Sequence, residues 1–273
     1  MNLAQELIKT EATEKPPRNQ SSAENKTSLQ AFENRSVITG IARGEVHEWP
    51  LDLAHWRDDL QQLAQTLRFA MKDKTPCVIG FASALSGEGT STLAVAVSLL
   101  MAQNQQQARA KGNGELHETQ ALLIDAQLRH PCLHRLFGVS LAHGLAEVLQ
   151  EKISPAQALK DIPASSLKLL TVGETNAKSL RYDQIEKLGA LLRELKAQFE
   201  FIFIDLPPLL HGIEAAALSK LCDGVVLIVK AHQTKREAVL AAQRVLEKAE
   251  AHVLGCVLNQ RRFFIPDWLY QRL

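Results

Sequence analysis

Residues 83–92 read SALSGEGTST, a stretch of small side chains with two glycines two positions apart. Gly87 and Gly89 remove side chains where a backbone would approach a ligand closely. A helix is predicted from about Thr90, and its free N–H groups and positive dipole end would face the same spot. The stretch predicts an anion-binding loop, although a tight strand-to-helix turn without a ligand has the same signature. The candidate binding residues are Gly87, Glu88, Gly89, Thr90, Ser91 and Thr92.

Three polar positions, one in the loop and two beside it, could serve a metal ion. Ser91 stands where the Mg²⁺-binding hydroxyl of G-x-x-x-x-G-K-[ST] would stand, with Ala84 in place of its first glycine. Asp205 ends the apolar run FIFID and is placed to hold Mg²⁺ through water. Asp125 ends the run ALLID and could orient the metal or a nucleophile. We predict Mg²⁺ at Ser91 and Asp205, with the two acids as catalytic remnants; the alternative is that both acids are simple strand-end caps.

Thr90 departs from this motif, because lysine normally occupies its position. That lysine reaches the β- and γ-phosphates and neutralises developing charge. Threonine is short and neutral, and the loss of one such charge costs roughly 10²–10³-fold in rate. Ground-state binding should suffer less. Lys72 and Lys74 precede the first strand of the domain and should lie at its far end, so neither is expected to replace the lysine.

The composition is that of an ordinary globular chain and excludes several functional classes. The 273 residues carry a formal charge of +1, which gives no case for nucleic-acid binding. No apolar run approaches the ~20 residues of a membrane span, and the start lacks a signal-peptide core. We therefore predict a cytoplasmic protein whose membrane contact is peripheral. No C-x-x-C pair exists, so we expect small buried thiols at Cys77, Cys132, Cys222 and Cys256.

Composition along the chain predicts four segments. They are a disordered polar arm at 1–50, an amphipathic helix at 51–74, a folded α/β domain at 75–260, and an aromatic and basic tail at 261–273. The helix prediction rests on Leu60, Leu63, Leu67 and Met71, which recur at helical spacing. The tail, RRFFIPDWLYQRL, could pack on the domain, dock on a partner or lie in a membrane interface. We favour packing or docking, because two helical turns are short for independent membrane binding.

The folded domain alternates strands and helices. Strands are predicted at 76–82, 121–125, 167–173, 201–205, 224–229 and 252–258, and helices at about 90–106, 144–150, 154–161, 178–198, 214–221 and 235–250. The strands are continuous apolar runs, which is typical of parallel strands covered on both faces. We therefore predict a doubly wound, mostly parallel sheet. Ligands in such sheets bind at the carboxyl ends of strands, where the loop and both acids lie.

Three of these stretches together resemble a known family. SALSGEGTST, LLIDAQLRHP and FIFIDLPPLL are similar to the nucleotide motifs of the bacterial tyrosine kinases, which are MinD/ParA-like P-loop proteins. The resemblance covers roughly Asp58 to Gln260, including LHRLFGVSLAHGLAEVL and a late strand ending at Asn259. It implies a P-loop NTPase fold, Mg-ATP as cofactor with Asn259 in the nucleotide site, and autophosphorylation on a tyrosine-rich tail. It also implies an inner-membrane polysaccharide co-polymerase as the activating partner.

Four departures from that family fall on functional positions. Thr90 replaces the loop lysine, and Gln127 replaces the second aspartate of the D-A-D motif. The oligomerisation pattern E-x-x-R-x-x-R is reduced at 62–68 to Q-x-x-Q-x-x-R, and the only tyrosines are Tyr182 and Tyr270. Together they favour a degenerate kinase-like protein that regulates exopolysaccharide or capsule assembly. Its expected partners are the co-polymerase, an active relative or a second copy of itself, and its association with the inner membrane would run through a partner.

Two alternatives stay open. One is a working ATP-dependent tyrosine kinase or ATPase of the same polysaccharide machinery that tolerates Thr90. The other is a MinD/ParA-like ATPase that cycles on a membrane; against it, LLIDAQLRHP and the LHRLFG segment resemble the kinase branch more closely. Glycosyltransferase and export-channel genes beside this gene would favour the two polysaccharide hypotheses.

Overall fold

The computed structural model describes residues 37–41, 57–110, 120–163 and 165–260. By their contacts the residues divide into 1–37 and 38–273, and of the first unit only Val37 is described. The tail at 261–273 and most of the predicted arm lie outside the described residues.

The centre of the domain is a sheet of eight strands in the order β1-β8-β7-β2-β6-β3-β5-β4. Six of them, β2, β3 and β5 to β8, are joined by parallel pairings, and β4 runs antiparallel to β5 at one edge. The predicted mostly parallel sheet is confirmed. The strands are β1 (Val37–Ile41), β2 (Cys77–Ser83), β3 (Gln120–Asp125), β4 (Lys160–Asp161), β5 (Leu167–Leu170), β6 (Phe199–Asp205), β7 (Gly224–Lys230) and β8 (Val253–Asn259).

Helices follow the strands along the chain and cover both faces of the sheet. They are α1 (Arg57–Met71), α2 (Thr90–Ala110), α3 (Leu133–Leu136), α4 (Leu145–Leu149), α5 (Pro155–Ala158), α6 (Tyr182–Leu195), α7 (Glu214–Lys220) and α8 (Arg236–Lys248), with a 3₁₀ turn at Lys72–Lys74. None of the helices in the described ranges is long and apolar enough to cross a membrane.

The core has two halves, one on each face of the sheet, because successive strand residues point to opposite faces. On one face Ile79 and Phe203 pack with α1 and α2. On the other face Val78 and Ile202 pack with α6, α7 and α8. The central strands β2, β6 and β7 are therefore buried on both sides, which explains why the sequence shows continuous apolar runs there rather than alternation.

Helix α1 lies within the predicted amphipathic segment 51–74, at Arg57–Met71. Its predicted apolar positions are at most 2% exposed: Leu60, Leu63, Leu67 and Met71. The opposite side carries the exposed Gln62, Gln65 and Arg68, the residues of the reduced oligomerisation pattern. The Arg68 guanidinium lies 5.7 Å from the centre of the Phe201 ring.

Three short elements differ from the sequence predictions. A strand occupies 37–41, inside the predicted disordered arm, where the local sequence VITGI is rich in β-branched residues. The helix predicted at 154–161 ends at Ala158, because Lys160 pairs with Leu169 as strand β4. Helix α3, a single turn at Leu133–Leu136, was not predicted. Elements this short carry too few residues for a periodic signal.

Candidate functional site

The predicted anion loop lies between the end of β2 at Ser83 and the start of α2 at Thr90. Gly87 and Gly89 have φ values of +82° and +89°, the left-handed region that glycine adopts without steric cost. A Cβ atom on Gly87 would meet nothing within 4 Å, whereas one on Gly89 would lie 2.1 Å from Nδ2 of Asn259. The loop has the glycine-dependent backbone that its sequence predicts, and the close approach at Gly89 is to Asn259.

Glu88 holds this loop in shape from within. Its side chain is buried, and Oε2 accepts a hydrogen bond from the Leu85 backbone N–H at 2.9 Å. Its Oε1 accepts from the Thr234 hydroxyl, in the loop between β7 and α8. Asn259, at the end of β8, donates from Nδ2 to the Glu88 carbonyl at 2.9 Å. Sequence reasoning missed Thr234, because no motif joins residues 146 positions apart.

Helix α2 places its N-terminus at the floor of the loop. The Leu93 N–H donates to the Gly89 carbonyl at 3.0 Å, so the helical ladder starts at the loop glycine. The N–H groups before Leu93 have no partner within the helix and form, with the helix dipole, a site for negative charge. Thr90 lies in this first turn with 6% of its surface exposed, and its hydroxyl brings no charge to the site.

The two predicted acids lie side by side across the sheet. Asp125 ends β3 and Asp205 ends β6, and the two residues are register partners. Asp125 accepts hydrogen bonds from the backbone N–H groups of Gln127 at 3.0 Å and Leu133 at 3.2 Å. Burial raises the pKa of both carboxyls, and the neighbouring charge of Asp125 adds to the rise at Asp205. The pair is therefore an electrostatically costly arrangement of the kind found at functional sites.

Gln127 joins the acids to the loop. Its side-chain Nε2 donates to the Ser91 Oγ at 3.1 Å and to the Asp205 Oδ1 at 2.9 Å. The second oxygen of Asp205, Oδ2, is buried and has no hydrogen-bond partner among the described residues. The sequence marked Gln127 only as a missing acid; the structure shows that its amide contacts the two groups predicted to hold Mg²⁺.

A cavity of about 320 Å³ opens above these residues at the carboxyl edge of the sheet. Within the described ranges no lysine or arginine lines it, so the groups there that favour an anion are the backbone N–H groups at the start of α2. Its lining residues are Ser83, Ser86, Gly87, Gly89, Thr90, Ser91, Thr92, Gln127, His130, Cys132, Leu136 and Pro208. Burial raises the pKa of the Cys132 thiol to about 11, so this cysteine is not a thiolate nucleophile at neutral pH.

A second cavity, of about 500 Å³, lies between the short helices α4 and α5 and the long helix α6. It is larger, but none of the predicted site residues lines it. Its walls include Val148, Ile153 and Leu191, together with the exposed ion pair between Lys187 and Glu151. We place the candidate site at the smaller cavity, where the buried acids, the left-handed glycines and a helix N-terminus converge.

The structure brings most of the predicted site residues together, but two of them point elsewhere. Five of the six loop candidates line the cavity, and Asp205 is linked to Ser91 through Gln127. The carboxylate of Glu88 instead accepts from the Leu85 N–H and the Thr234 hydroxyl, and the amide of Asn259 donates to the Glu88 carbonyl. Neither residue is among the lining residues of the described cavity. Both support the loop rather than face a ligand.

Ser91 and Asp205 are the residues that would hold a Mg²⁺ ion at this site. The oxygen ligands are of the right type, and the unpaired Asp205 Oδ2 would suit a cation's water shell. However, the Gln127 amide nitrogen lies within 3.1 Å of both predicted ligands and donates to each of them. No group of three His, Cys, Asp or Glu side chains in the described ranges is arranged to hold a metal. The residues as folded therefore do not fit a bound Mg²⁺ at this position.

Comparison with known proteins supports the resemblance. No protein-family model matches the chain. CapB of Staphylococcus aureus is 28% identical over 141 residues, which are 52% of this chain and 62% of CapB. The tyrosine-protein kinase YwqD of Bacillus subtilis is 27% identical over 205 residues, which are 75% of this chain and 81% of YwqD. The chain is a homologue of the bacterial tyrosine kinases.

Solved structures agree with this kinship at the level of the fold. The kinase domain of the Escherichia coli tyrosine kinase ETK matches 91% of this chain and 99% of that domain, with a TM-score of 0.69 and 19% identity. The septum site-determining protein MinD of Pyrococcus horikoshii, complexed with Mg-ADP, matches 72% of this chain and 76% of MinD, with a TM-score of 0.52 and 21% identity. These likenesses show the fold alone, and they confirm a MinD/ParA-like P-loop fold for this homologue of the bacterial tyrosine kinases.

Proposed function

We propose that this chain is a kinase-like protein with lost or weak phosphoryl transfer that regulates exopolysaccharide or capsule synthesis and export. The observation that carries the proposal is the cavity, in which no described lysine or arginine is a lining residue and Thr90 stands at the lysine position. Phosphoryl transfer depends almost entirely on positioning and on stabilising charge. A cavity with neutral walls and two buried acids supplies little of that stabilisation.

The kinship supports the polysaccharide role. The relatives YwqD and ETK are tyrosine kinases, and the resemblance of the three motifs implies a co-polymerase in the inner membrane as partner. We propose that this chain contacts such a co-polymerase, or an active relative, or a second copy of itself. Its association with the inner membrane would then be peripheral and would run through that partner.

Three exposed apolar residues on segments beside the cavity support a role in protein contact. Leu85 lies in the loop and is 39% exposed, and Leu210 and Ile213 follow β6 with 36% and 92% exposed. The Leu210 N–H donates to the Ala84 carbonyl at 3.2 Å, so the loop and the segment after β6 run side by side. Exposed apolar residues on adjoining segments are the kind of surface that a protein partner covers.

The proposal is tested by phosphoryl transfer from radiolabelled ATP with the full chain. We expect ATP hydrolysis and tyrosine phosphorylation at least ~100-fold below those of an active bacterial tyrosine kinase assayed in parallel. Adding this chain to the active kinase and its co-polymerase should change the kinase's autophosphorylation rate. Transfer to tyrosine by this chain at the rate of the active kinase would rule the proposal out.

Substitution of the loop threonine tests the reason for the lost activity. Thr90→Lys restores a cation at the phosphate position, and we expect it to tighten ATP binding by about tenfold or more in calorimetric titration. Thr92→Lys is the matched control, because it adds the same charge to the cavity wall at a position two residues further along α2. Equal tightening by both variants would show that general charge, rather than the loop position, limits binding.

A second candidate, an active ATPase or tyrosine kinase, is favoured by one observation. The loop keeps its left-handed glycines, and Ser91, Asp125 and Asp205 still converge beside it. The transfer assay above separates the two candidates directly.

A further inference from the structure

Gln127 is the point at which the loop helix and two strand ends meet. Its side-chain nitrogen donates to Ser91 Oγ at 3.1 Å and to Asp205 Oδ1 at 2.9 Å. Its backbone N–H donates to Asp125 Oδ1 at 3.0 Å. One residue therefore contacts all three side chains that the motifs predict to serve a metal ion.

The amide conflicts with a cation between Ser91 and Asp205. Mg²⁺ binds oxygen lone pairs at about 2.1 Å and keeps several ordered waters around it. One lone pair on each of these oxygens already accepts an N–H from Gln127, and the amide nitrogen offers hydrogens rather than a lone pair. A cation would have to displace the amide and break both hydrogen bonds.

The anion-binding part of the site does not depend on Gln127. The loop backbone is held by Glu88, Thr234 and Asn259, and the N-terminus of α2 follows it directly. Backbone N–H groups and a helix dipole bind phosphate without any metal. The cavity thus keeps the loop and the helix N-terminus that bind phosphate, while the Gln127 amide occupies the position of the metal ion.

We propose that Gln127 takes the place of the divalent cation, so that the cavity binds a nucleoside di- or triphosphate with an affinity that does not depend on Mg²⁺. This inference rests on the proposed function in one respect, the choice of a nucleotide as the ligand. Because no described cation lines the cavity, a γ-phosphate has no charged partner there. ADP should therefore bind at least as tightly as ATP.

Calorimetric titration of the full chain with ADP and ATP, in EDTA and in Mg²⁺, tests this directly. We expect the wild-type dissociation constants in the two solutions to agree within about twofold. In Gln127→Asp the amide is replaced by a carboxylate, and we expect Mg²⁺ to tighten nucleotide binding by about tenfold or more, since ligand charge sets divalent-cation affinity. Gln150→Asp, which makes the same change at an exposed position after α4, should behave as the wild type. A tenfold tightening of wild-type binding by Mg²⁺ would overturn the proposal.

Titration with Mn²⁺ in the absence of a nucleotide, followed by electron paramagnetic resonance, measures whether the protein binds a divalent cation by itself. We expect no saturable site in the wild type or in Gln150→Asp, and one site in Gln127→Asp. Gln127→Ala is the second variant, to be used if Gln127→Asp does not fold. It frees Ser91 and Asp205 without adding an acid, and we expect its nucleotide binding to depend on Mg²⁺. Equal Mn²⁺ binding by the wild type and Gln127→Asp would overturn the proposal. If only Gln127→Asp binds Mn²⁺ but neither the wild type nor any variant binds a nucleotide, Gln127 does exclude the metal ion. The assignment of a nucleotide as the ligand would then be wrong.

Discussion

At Gly89 the backbone φ of +89° coincides with a close contact from the end of a distant strand. The Asn259 amide lies where a Cβ atom would be, and it donates to the carbonyl of the adjacent Glu88. Gly87 has nearly the same backbone conformation, with φ of +82°, but open space around it. Gly87 is therefore required for its backbone conformation alone, whereas Gly89 is required for its conformation and for the close contact with Asn259. The sequence does not distinguish the two glycines.

Gly89→Ala and Gly87→Ala separate these two requirements. Each variant places a Cβ in the left-handed region, which costs about 1–2 kcal/mol. Gly89→Ala must also displace Asn259 and its hydrogen bond, which adds about 1 kcal/mol. Urea denaturation followed by far-UV circular dichroism should show the larger loss of unfolding free energy in Gly89→Ala. Equal losses would mean that the contact between Asn259 and the loop carries no net stability.

The sequence predicted which residues gather at the site better than it predicted what each of them contacts. Ser91, Asp125 and Asp205 were assigned to one edge of the sheet, because the carboxyl ends of parallel strands meet there. Gln127 was predicted only as a lost acid, since a motif records the expected residue and not the contacts of its replacement. Glu88 was placed in the binding set by its position in the loop, and only the folded chain shows its carboxylate bound to Thr234.

One carboxylate ties the start of the short helix α4 to the segment after β5. Glu147 accepts hydrogen bonds from the backbone N–H groups of His143 at 3.2 Å, Gly144 at 3.0 Å and Glu174 at 3.0 Å. Gly173 makes room for it, since a Cβ there would lie 1.9 Å from Glu147 Oε2. Desolvation acts to raise the pKa of Glu147, but the backbone donors outweigh it and the pKa lies below its ordinary value.

Glu147 predicts a pH dependence of stability with a definite sign. A carboxyl with a lowered pKa binds its proton less readily in the folded state, so it stabilises the fold above its ordinary pKa of 4.5. That stabilisation is lost as the pH falls through the folded pKa. We expect Glu147→Gln to lower the unfolding free energy by about 1 kcal/mol at pH 7, a value reduced for solvent screening. The gap to the wild type should close at more acidic pH.

Thermal unfolding across a pH series measures this gap. Glu151→Gln is the control, because Glu151 is an exposed partner of Lys187 on the same side of the domain. It should change the melting temperature far less than Glu147→Gln. A gap for Glu147→Gln that stays constant down to acidic pH would show that the charge of the carboxylate is not what holds α4.

Most elements followed from hydrophobic periodicity, and the exceptions share a cause. Strands β2, β6 and β7 are buried on both faces, so their apolar runs were visible in the sequence. Strand β4 has two residues and exists because Lys160 is drawn toward the His143 carbonyl and the Thr171 hydroxyl at 2.9 and 2.8 Å. Such an element is defined by tertiary contacts, and no local pattern of Lys160 and Asp161 could have predicted it.

At the scale of the whole molecule, the candidate site and a partly buried ion pair lie at opposite ends of the strands. The candidate site uses the carboxyl ends of β2, β3, β6 and β8. At the other end of β2, the Asp223 carboxylate accepts from the Val78 N–H and from Lys196 Nζ, both at 2.7 Å. This contact joins segments 145 residues apart in the chain and is partly shielded from water.

Asp223→Ala should therefore weaken the fold without altering the site. Removing the carboxylate leaves the Val78 N–H and the Lys196 ammonium unpaired, and we expect a loss of about 2 kcal/mol of unfolding free energy. Glu250→Gln breaks the exposed pair with Lys220 and should have almost no effect. Urea denaturation measures both. Below the unfolding transition, the two variants should bind nucleotide as the wild type does, and a selective loss of binding in Asp223→Ala would contradict this division of the sheet.

The contact between Asn259 and Glu88 also bears on where the domain can be truncated at its C-terminal end. The apolar run of the last strand ends at Leu258, which is where hydropathy alone would draw a boundary, whereas the strand itself ends at Asn259. A truncated protein that stops at Leu258 keeps every buried apolar residue of β8 but loses the amide bound to the loop. One that stops at Gln260 keeps it. Truncation at these two neighbouring positions would give proteins with the same core and differently supported glycine loops.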